Sequence, residues 1–533
     1  MAVINLNTRY SFPMANGFGQ NATGGRGGYI VEVTNTNFSG TGSLKAALEM
    51  TGARTIIFRV GGTISNVGAD YLQIPLGSGD VTIAGETAPG DGILIRGARL
   101  RVRDSNVIIR HIRFRQDPSN STGSNDDALT IDGTGGSPLT DIMIDHCSFS
   151  WGLDGNLDIR NTWGATVQNC MITGIAKSNL INANSKNVSY LNNIFGLVEQ
   201  RAIRANTIDH LDLTYEMINN YIYAVPWPGG PSEGLKVTVE NNVCERSNSE
   251  ALGSSNFIYL NAPNPANGEN NTIENTYLYV DGNDVGDMYT NELNPSISGS
   301  YVFGTPLYRS TYTPKSIVGL KAFLLANCGS GAGISQGLDA VDGALVANIN
   351  AKTGTLAYSG TFPTISNGTP YTDSNNDGIS DSWASTHGIT SASQVKATYT
   401  INGHTVNNTA GYTALEIFLA DMAGDFELLA GEPSNNIPVI SLTGASTINL
   451  NVGDTYTEFG ATATDAEDGN LTGDIVESGT VNTAVAGTYY KYYNVTDSDS
   501  NAALQVTRTI IVNDGSTSVT NIKGVNKNIW WSI

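Results

Sequence analysis

The chain has little that could crosslink it, hold it in a membrane or bind it to phosphates. Cysteine is scarce: Cys147, Cys170, Cys244 and Cys328 are the only four in 533 residues, and none falls in a CxxC or CxxH spacing. That pattern offers neither a disulfide framework nor a zinc cluster, and it fits small buried core residues. Charged residues make up only 14%, with 28 Lys and Arg against 49 Asp and Glu, a net charge of −21. A nucleic-acid partner is therefore not expected, because the basic footprint is missing. An acidic polymer would also be repelled at long range unless a divalent cation bridged it or salt screened it. No apolar run reaches membrane-spanning length, so membrane insertion is not expected either. Residues 1–10, MAVINLNTRY, show no basic region leading into an apolar stretch, so no secretory signal is visible.

What is abundant is glycine, 60 residues, within a chain that is 40% hydrophobic, which excludes general disorder. The length exceeds one ordinary compact domain, although a solenoid can lengthen coil by coil. A solenoid is what the pattern indicates. The doublets His146-Cys147, Asn169-Cys170, Asn192-Asn193, Asn219-Asn220 and Asn241-Asn242 recur every 22 to 27 positions, each beside a short alternating β-rich run such as Ile142–Asp145 or Val237–Glu240. The spacing predicts an all-β right-handed parallel β-helix, with Cys147 and Cys170 stacked in equivalent coils.

Four segments follow along the chain. Residues 1–350 read as the β-helix, with coils from 55 onward and a cap that includes a short helix over 42–50, because a stacked core cannot end in water. Residues 351–432 read as a linker rich in Thr, Ser, Gly and Pro, then an Asp/Asn-rich loop and a helix over 411–422. Residues 437–513 alternate strand-like runs and turns, as in an immunoglobulin-like sandwich. Residues 514–533 form a tail ending in Ile529-Trp530-Trp531-Ser532-Ile533, either a docking element or disordered.

Several motifs occur in order: GFGQNATGGRGGYIVEVTNTNFSGTGSLKAALE, RTIIFRVGGTI, TIAGETAPGDGI, NVIIRHIRFR and DIMIDHCSFSW. Together they resemble the pectate lyase family of polysaccharide lyases over roughly residues 12–420, and residues 437–513 resemble bacterial immunoglobulin-like repeats. The resemblance implies Ca²⁺-assisted β-elimination on a uronate polymer. Asp127 and Asp154 match family metal positions, with Asp126 and Asp158 as further carboxylates, but Gly155 stands where the family usually has Glu. Arg201 and Arg204 match an Arg-x-Pro-Arg pattern in which Ile203 replaces proline, and Arg201 would be the base. Lys177, one coil earlier, matches a lysine that binds the substrate carboxylate. Where the family often has His-His, this chain has Asn192-Asn193.

The loop Asp373, Asn375, Asp377, Asp381 spaces oxygen donors as in EF-hand-like calcium loops, with Gly378 at the sixth position and Ala384 where a bidentate Glu would stand. It reads as a structural Ca²⁺ site or a plain Asx turn. His146 and His111 sit in alternating strands and read as stacking or buried hydrogen-bonding residues. Two functions remain open at this point: a lyase acting on an acidic polysaccharide, in an extracellular or virion setting such as a phage tail spike, and a non-catalytic glycan-binding adhesin or structural virion protein. In either, the C-terminal domain is the expected element for virion or cell-surface attachment.

Overall fold

The computed structural model describes residues 2–514 apart from 67–70, 118–126, 207–212, 250–255, 261–274, 432–437, 466–468, 497–502 and positions 183, 229, 259, 287, 296, 298, 358 and 504. The chain divides into two compact units, Met1–Gly431 and Glu432–Ile533. Among the described residues, no helix is long and apolar enough to cross a membrane.

The first unit is a right-handed parallel β-helix built from three parallel sheets of ten, eight and six strands, with successive coils adding neighbouring strands to each sheet. In the central coils the first sheet contributes Leu139–Asp145, Thr162–Gln168, Lys186–Leu191 and Thr214–Ile218. The second contributes Ser148–Ser150, Met171–Lys177, Ile194–Gln200 and Tyr221–Tyr223, and the third Leu129–Asp132, Leu157–Arg160, Asn179–Asn182 and Arg204–Ala205. Inward residues of all three, such as Ile144, Phe149, Ile159, Val167, Ile172 and Ile181, form one continuous buried core.

The doublets turn the corner from the first sheet to the second. Their first members, His146, Asn169, Asn192, Asn219 and Asn241, all have left-handed φ between 48° and 55°. Asn and His tolerate that region better than most side chains. Their second members point inward and stack. Cys147 N–H donates to Cys170 Sγ at 3.3 Å, Cys170 N–H to Asn193 Oδ1 at 2.9 Å, Asn193 N–H to Asn220 Oδ1 at 2.9 Å, and Asn220 N–H to Asn242 Oδ1 at 2.8 Å. Asn283 extends the relay by accepting from Asn242 N–H at 2.9 Å. Each side chain thus satisfies the backbone donor of the previous coil inside an otherwise apolar core. All four cysteines are free and buried, as their spacing implied.

The short helix Leu44–Leu48, N-capped by Ser43, places Leu44, Ala47 and Leu48 in the core at one end. Coils do not continue to residue 350. Helices Leu320–Asn327 and Ala340–Ala351 lie instead against Met171, Ile194, Leu197, Tyr221 and Tyr223 on the flank of the solenoid. The second is started by Asp339, whose side chain accepts from Val341 and Asp342 N–H. Residues 381–431 fold back onto the same unit. Helix Ala414–Met422 begins with a Thr413/Glu416 capping box, and the N-terminal strand Val3–Leu6 pairs with His404–Asn408.

The motif NVIIRHIRFR joins these covering segments to the coils. Arg110 pairs with Asp145 and Asp425, Arg113 donates to the Ser330 and Gly337 carbonyls, and Arg115 pairs with Asp339 and Asp342. All three arginines are buried, and the desolvation that burial imposes on each is offset by paired carboxylates or carbonyls and multiple hydrogen bonds.

The second unit has a three-stranded sheet, Val439–Leu442, Ala461–Asp465 and Gly469–Asn470, and a four-stranded sheet, Thr447–Asn451, Val506–Asn513, Gly487–Asn494 and Val476–Ser478. Ile440, Ala463, Tyr493, Val495 and Ala503 are its core, and buried Arg508 pairs with Glu458. The Trp530-Trp531 end lies outside the described residues.

Candidate functional site

The corner between the second and third sheets collects the chemistry. At this corner the coils stack through backbone bonds: Ala128 N–H to Gly155 O at 3.2 Å, Asn156 N–H to Ser178 O at 2.8 Å, Asn179 N–H to Arg201 O at 3.2 Å, and Arg201 N–H to Trp227 O at 2.6 Å. Asp127, Asp154, Lys177 and Arg201 therefore come from four successive coils. Approaching it, the second sheet bends at equivalent positions, Trp151, Gly174, Leu197 and Ala224, whose φ values are all left-handed, 51° to 61°. Arg201 itself has φ +67°. A non-glycine residue held there costs on the order of 1 kcal/mol or more, and such strain gathers at functional positions.

Three carboxylates crowd one side. Burial and the Asp154 charge push Asp127 up to about 6, while Thr130 Oγ1 donates to it at 3.2 Å and Arg160 pulls the other way. Burial and the Asp127 charge hold Asp158 well above the ordinary carboxylate range, opposed by Arg160 and by Arg201. Arg201 is thus close enough to Asp158 to be felt electrostatically. Gly155 explains the missing Glu in part: a Cβ there would lie 2.5 Å from Asp127 Oδ1 and 3.3 Å from Asp158 Oδ1, so these two carboxylates occupy the space a side chain would need.

The cationic residues lie next to them. Lys177 Nζ is 3.7 Å from Asp154 Oδ1, with both side chains substantially exposed. Lys177 is the register partner of Gln200, directly before Arg201. Arg204 belongs to the third sheet, in the row Asp158, Leu180, Arg204, and its Nε donates to Asn206 Oδ1 at 2.7 Å. It stands two strands from Asp158. Asp126 lies outside the described residues. Thr130, Arg160 and Trp227 are additional neighbours of the corner that sequence patterns did not single out.

The carboxylates suit a hard cation. All are oxygen donors from adjacent coils, and burial, with a neighbouring carboxylate's charge behind it, raises Asp127 and Asp158, a penalty that a nearby positive charge would relieve.

The Asp373 loop is knit to itself. Asp373 accepts from Asp377 N–H at 3.1 Å and Gly378 N–H at 2.9 Å, Asp377 from Ile379 N–H at 3.1 Å, and Asp381 from Ser374 N–H at 3.0 Å. Asn375 accepts from Asp377 N–H at 3.3 Å. The loop leads into helix Asp381–His387, capped by Ser380.

His111, Asp145 and His146 form a separate buried group whose ligand atoms lie within 4.8 Å of one another, a spacing able to hold a metal. Its bonds are those of a structural network. Asp145 accepts from His146 Nδ1, Arg110 Nε and Gln168 Nε2 at 2.8 Å each and from Asn169 Nδ2 at 3.0 Å. Burial alone would raise Asp145, but His146 and Arg110 hold it far below the usual range. The two imidazoles stack at 4.8 Å, and burial keeps His111 neutral.

A right-handed parallel β-helix with carboxylates, lysine and arginine gathered at one corner defines the polysaccharide-lyase-like class of solenoids. Comparison with known proteins narrows this. A probable pectate lyase C of Aspergillus oryzae is 30% identical over 392 residues, covering 70% of this chain and 86% of the relative. That of Aspergillus fumigatus is 28% identical over 433 residues, covering 76% and 92%. A solved pectate lyase bound to a hexasaccharide has 17% identity and a TM-score of 0.42, covering 61% of this chain and 99% of the other. Residues 440–512 match the family described as bacterial surface protein, Ig-like domain. The chain belongs to the pectate lyase family and carries a C-terminal bacterial immunoglobulin-like domain.

Proposed function

We propose that this protein cleaves a uronate-containing polysaccharide by β-elimination. The observation that carries the reading is the convergence of Lys177, Arg201 and the Asp127, Asp154, Asp158 cluster at one corner, in a chain of the pectate lyase family. Ca²⁺ bound to these carboxylates would neutralise them and withdraw electron density from a substrate carboxylate, acidifying the proton at the adjacent C5. Lys177, a cation beside Asp154, would neutralise that carboxylate in this proposal. Arg201, in its neutral form, takes the C5 proton on a guanidine nitrogen, and the C–H electron pair forms the C4=C5 double bond as the C4–O bond breaks. The leaving oxygen takes a proton from solvent water, and Arg201 returns its proton to the hydroxide left behind. Arginine has a pKa above about 12, so only a small fraction is neutral at any moment, and nearby cations increase that fraction. Arg204 supports the same face from the third sheet.

The Asp373 loop is a second, structural Ca²⁺ site in this proposal. The immunoglobulin-like domain, matching a surface-protein family, would attach the enzyme to a cell or virion surface, outside the cytoplasm. A non-catalytic glycan-binding role is favoured by one observation, the replacement of the family's Glu by Gly155.

One experiment separates these readings. The protein is incubated with polygalacturonate and with alginate, in Ca²⁺ or chelator, and unsaturated uronate ends are followed by ultraviolet absorbance. Ca²⁺-dependent product supports the lyase; binding without product supports the glycan-binding role; neither overturns both.

A further inference from the structure

The row that contains Lys177 continues past the base. Lys177 pairs in register with Gln200, and Gln200 pairs with Trp227 on the next coil. In-register residues of parallel strands send their side chains to the same side, about 4.8 Å apart per coil. Lys177, Gln200 and Trp227 therefore form a file of cation, amide and indole that runs along the solenoid axis beside Arg201. Trp227 is 51% exposed.

Its backbone is unusually constrained for an exposed residue. Trp227 O accepts from Arg201 N–H at 2.6 Å, Pro228 O from Ile203 N–H at 3.2 Å, and Gly230 O from Ala205 N–H at 3.4 Å. Pro226 and Pro228 flank the indole and fix their own φ. The ring is carried on a backbone segment held to the preceding coil, so a ligand need not order that backbone, which reduces one of the usual costs of binding.

We infer that Trp227 is a stacking platform for a pyranose ring, one coil beyond the residue that takes the proton. The ligand class follows from the file. A uronan offers a carboxylate at one ring edge, hydroxyls around it and a C–H face, which answer to Lys177, Gln200 and Trp227 in turn. An indole presents a broad apolar face with a negative quadrupole to such C–H groups. The coil spacing is comparable to one sugar residue, so consecutive rings of a chain laid along the axis meet consecutive members of the file. This inference borrows its ligand class from the lyase reading, but it concerns binding and can be tested without turnover.

The test is calorimetric titration of hexagalacturonate, with Ca²⁺ present, into the full-length protein carrying Arg201→Ala, so that the ligand is not consumed, and into the same parent with Trp227→Ala, Trp227→Leu or Trp227→Phe added, with melting curves for each. Trp227→Ala and Trp227→Leu are expected to weaken binding by about tenfold, the size of one aromatic contact, while Trp227→Phe stays close to the parent. Leucine keeps apolar bulk without a π-face, so its failure beside rescue by phenylalanine separates stacking from mere support of the strand. Equal affinity in all four proteins overturns the platform, as does equal loss in all three variants, or no binding by the parent. Product formation from polygalacturonate is measured in parallel with Arg201 intact. Cleavage with unchanged binding in Trp227→Ala refutes the platform alone, whereas Trp227-dependent binding without product refutes the lyase reading alone.

Discussion

The Asp127 charge adds to burial in holding the Asp158 carboxyl, one coil on, well above its ordinary pKa, while burial and the Asp154 charge push Asp127 itself up to about 6, and both lie against the bare Cα of Gly155. Two acids in one partly buried space are a local cost that a cation relieves. Above about pH 6 Asp127 ionises beside Asp154 and Asp158 and the crowded charge repels; below it Asp127 is protonated and the repulsion falls. Ca²⁺ should therefore raise the melting temperature more at pH 8 than at pH 5, with chelator reversing the effect. Asp127→Asn should remove most of the difference between the two pH values. An equal Ca²⁺ effect in the parent and Asp127→Asn would assign the ion to another site.

Arg201→Lys keeps the positive charge but changes its reach and geometry, and Arg201→Ala removes both. Turnover of polygalacturonate should fall by about 10²- to 10⁴-fold in each, the range of a lost proton-transfer group. Binding of hexagalacturonate should change far less. Unchanged turnover in Arg201→Ala would dismiss Arg201 as the base.

Glu86 is buried with no hydrogen-bond partner for either carboxylate oxygen, and burial pushes it up to about 7 despite the nearby Arg110. The unfolded chain releases this proton near 4.5, the folded one near 7. The folded state therefore binds more protons in that window, and stability is full below it and declines as pH rises through it. Glu86→Gln should match the parent near pH 4.5 and exceed it by up to about 3 kcal/mol at pH 8. Urea unfolding at the two pH values measures this directly.

Asn220 occupies the middle of the asparagine relay. Its Nδ2 donates to Tyr190 O at 2.9 Å, and its Oδ1 accepts from Asn193 N–H at 2.9 Å. Asn220→Ala leaves these buried groups unsatisfied and should cost about 2–4 kcal/mol in denaturant unfolding. Asn220→Cys should cost less, because Cys170 already fills the equivalent place two coils earlier.

Much of the solenoid was legible because one short pattern encodes two demands: a left-handed corner, met by His146, Asn169 or Asn192, and a stacked inward side chain, met by Cys170, Asn193 or Asn220. The order of the site residues was legible for the same reason, since coil spacing sets Asp154, Lys177 and Arg201 in phase. Trp227 was not, because its register with Gln200 depends on a coil of 27 residues whose extra length hides the repeat. Nor were helices Leu320–Asn327 and Ala340–Ala351, whose apolar residues answer to the flank of the solenoid at Leu197 and Tyr223 rather than to a strand period. The structural role of the arginines of NVIIRHIRFR was not legible either, because their partners Asp425, Asp339 and Asp342 lie more than 200 positions away. Such pairing leaves no local trace.

The pairing of Val3–Leu6 with His404–Asn408 also sets a schedule. Middle coils can stack on their predecessors as synthesis proceeds, but the first strand has no partner until residue 408 has been made. Until then its Ile4 and Leu6, buried in the finished unit, remain available to other chains. Closure over so long a separation is slow. Refolding should therefore show rapid gain of β-structure followed by a late step that buries Ile4 and Leu6, and the interval between them is when aggregation competes best.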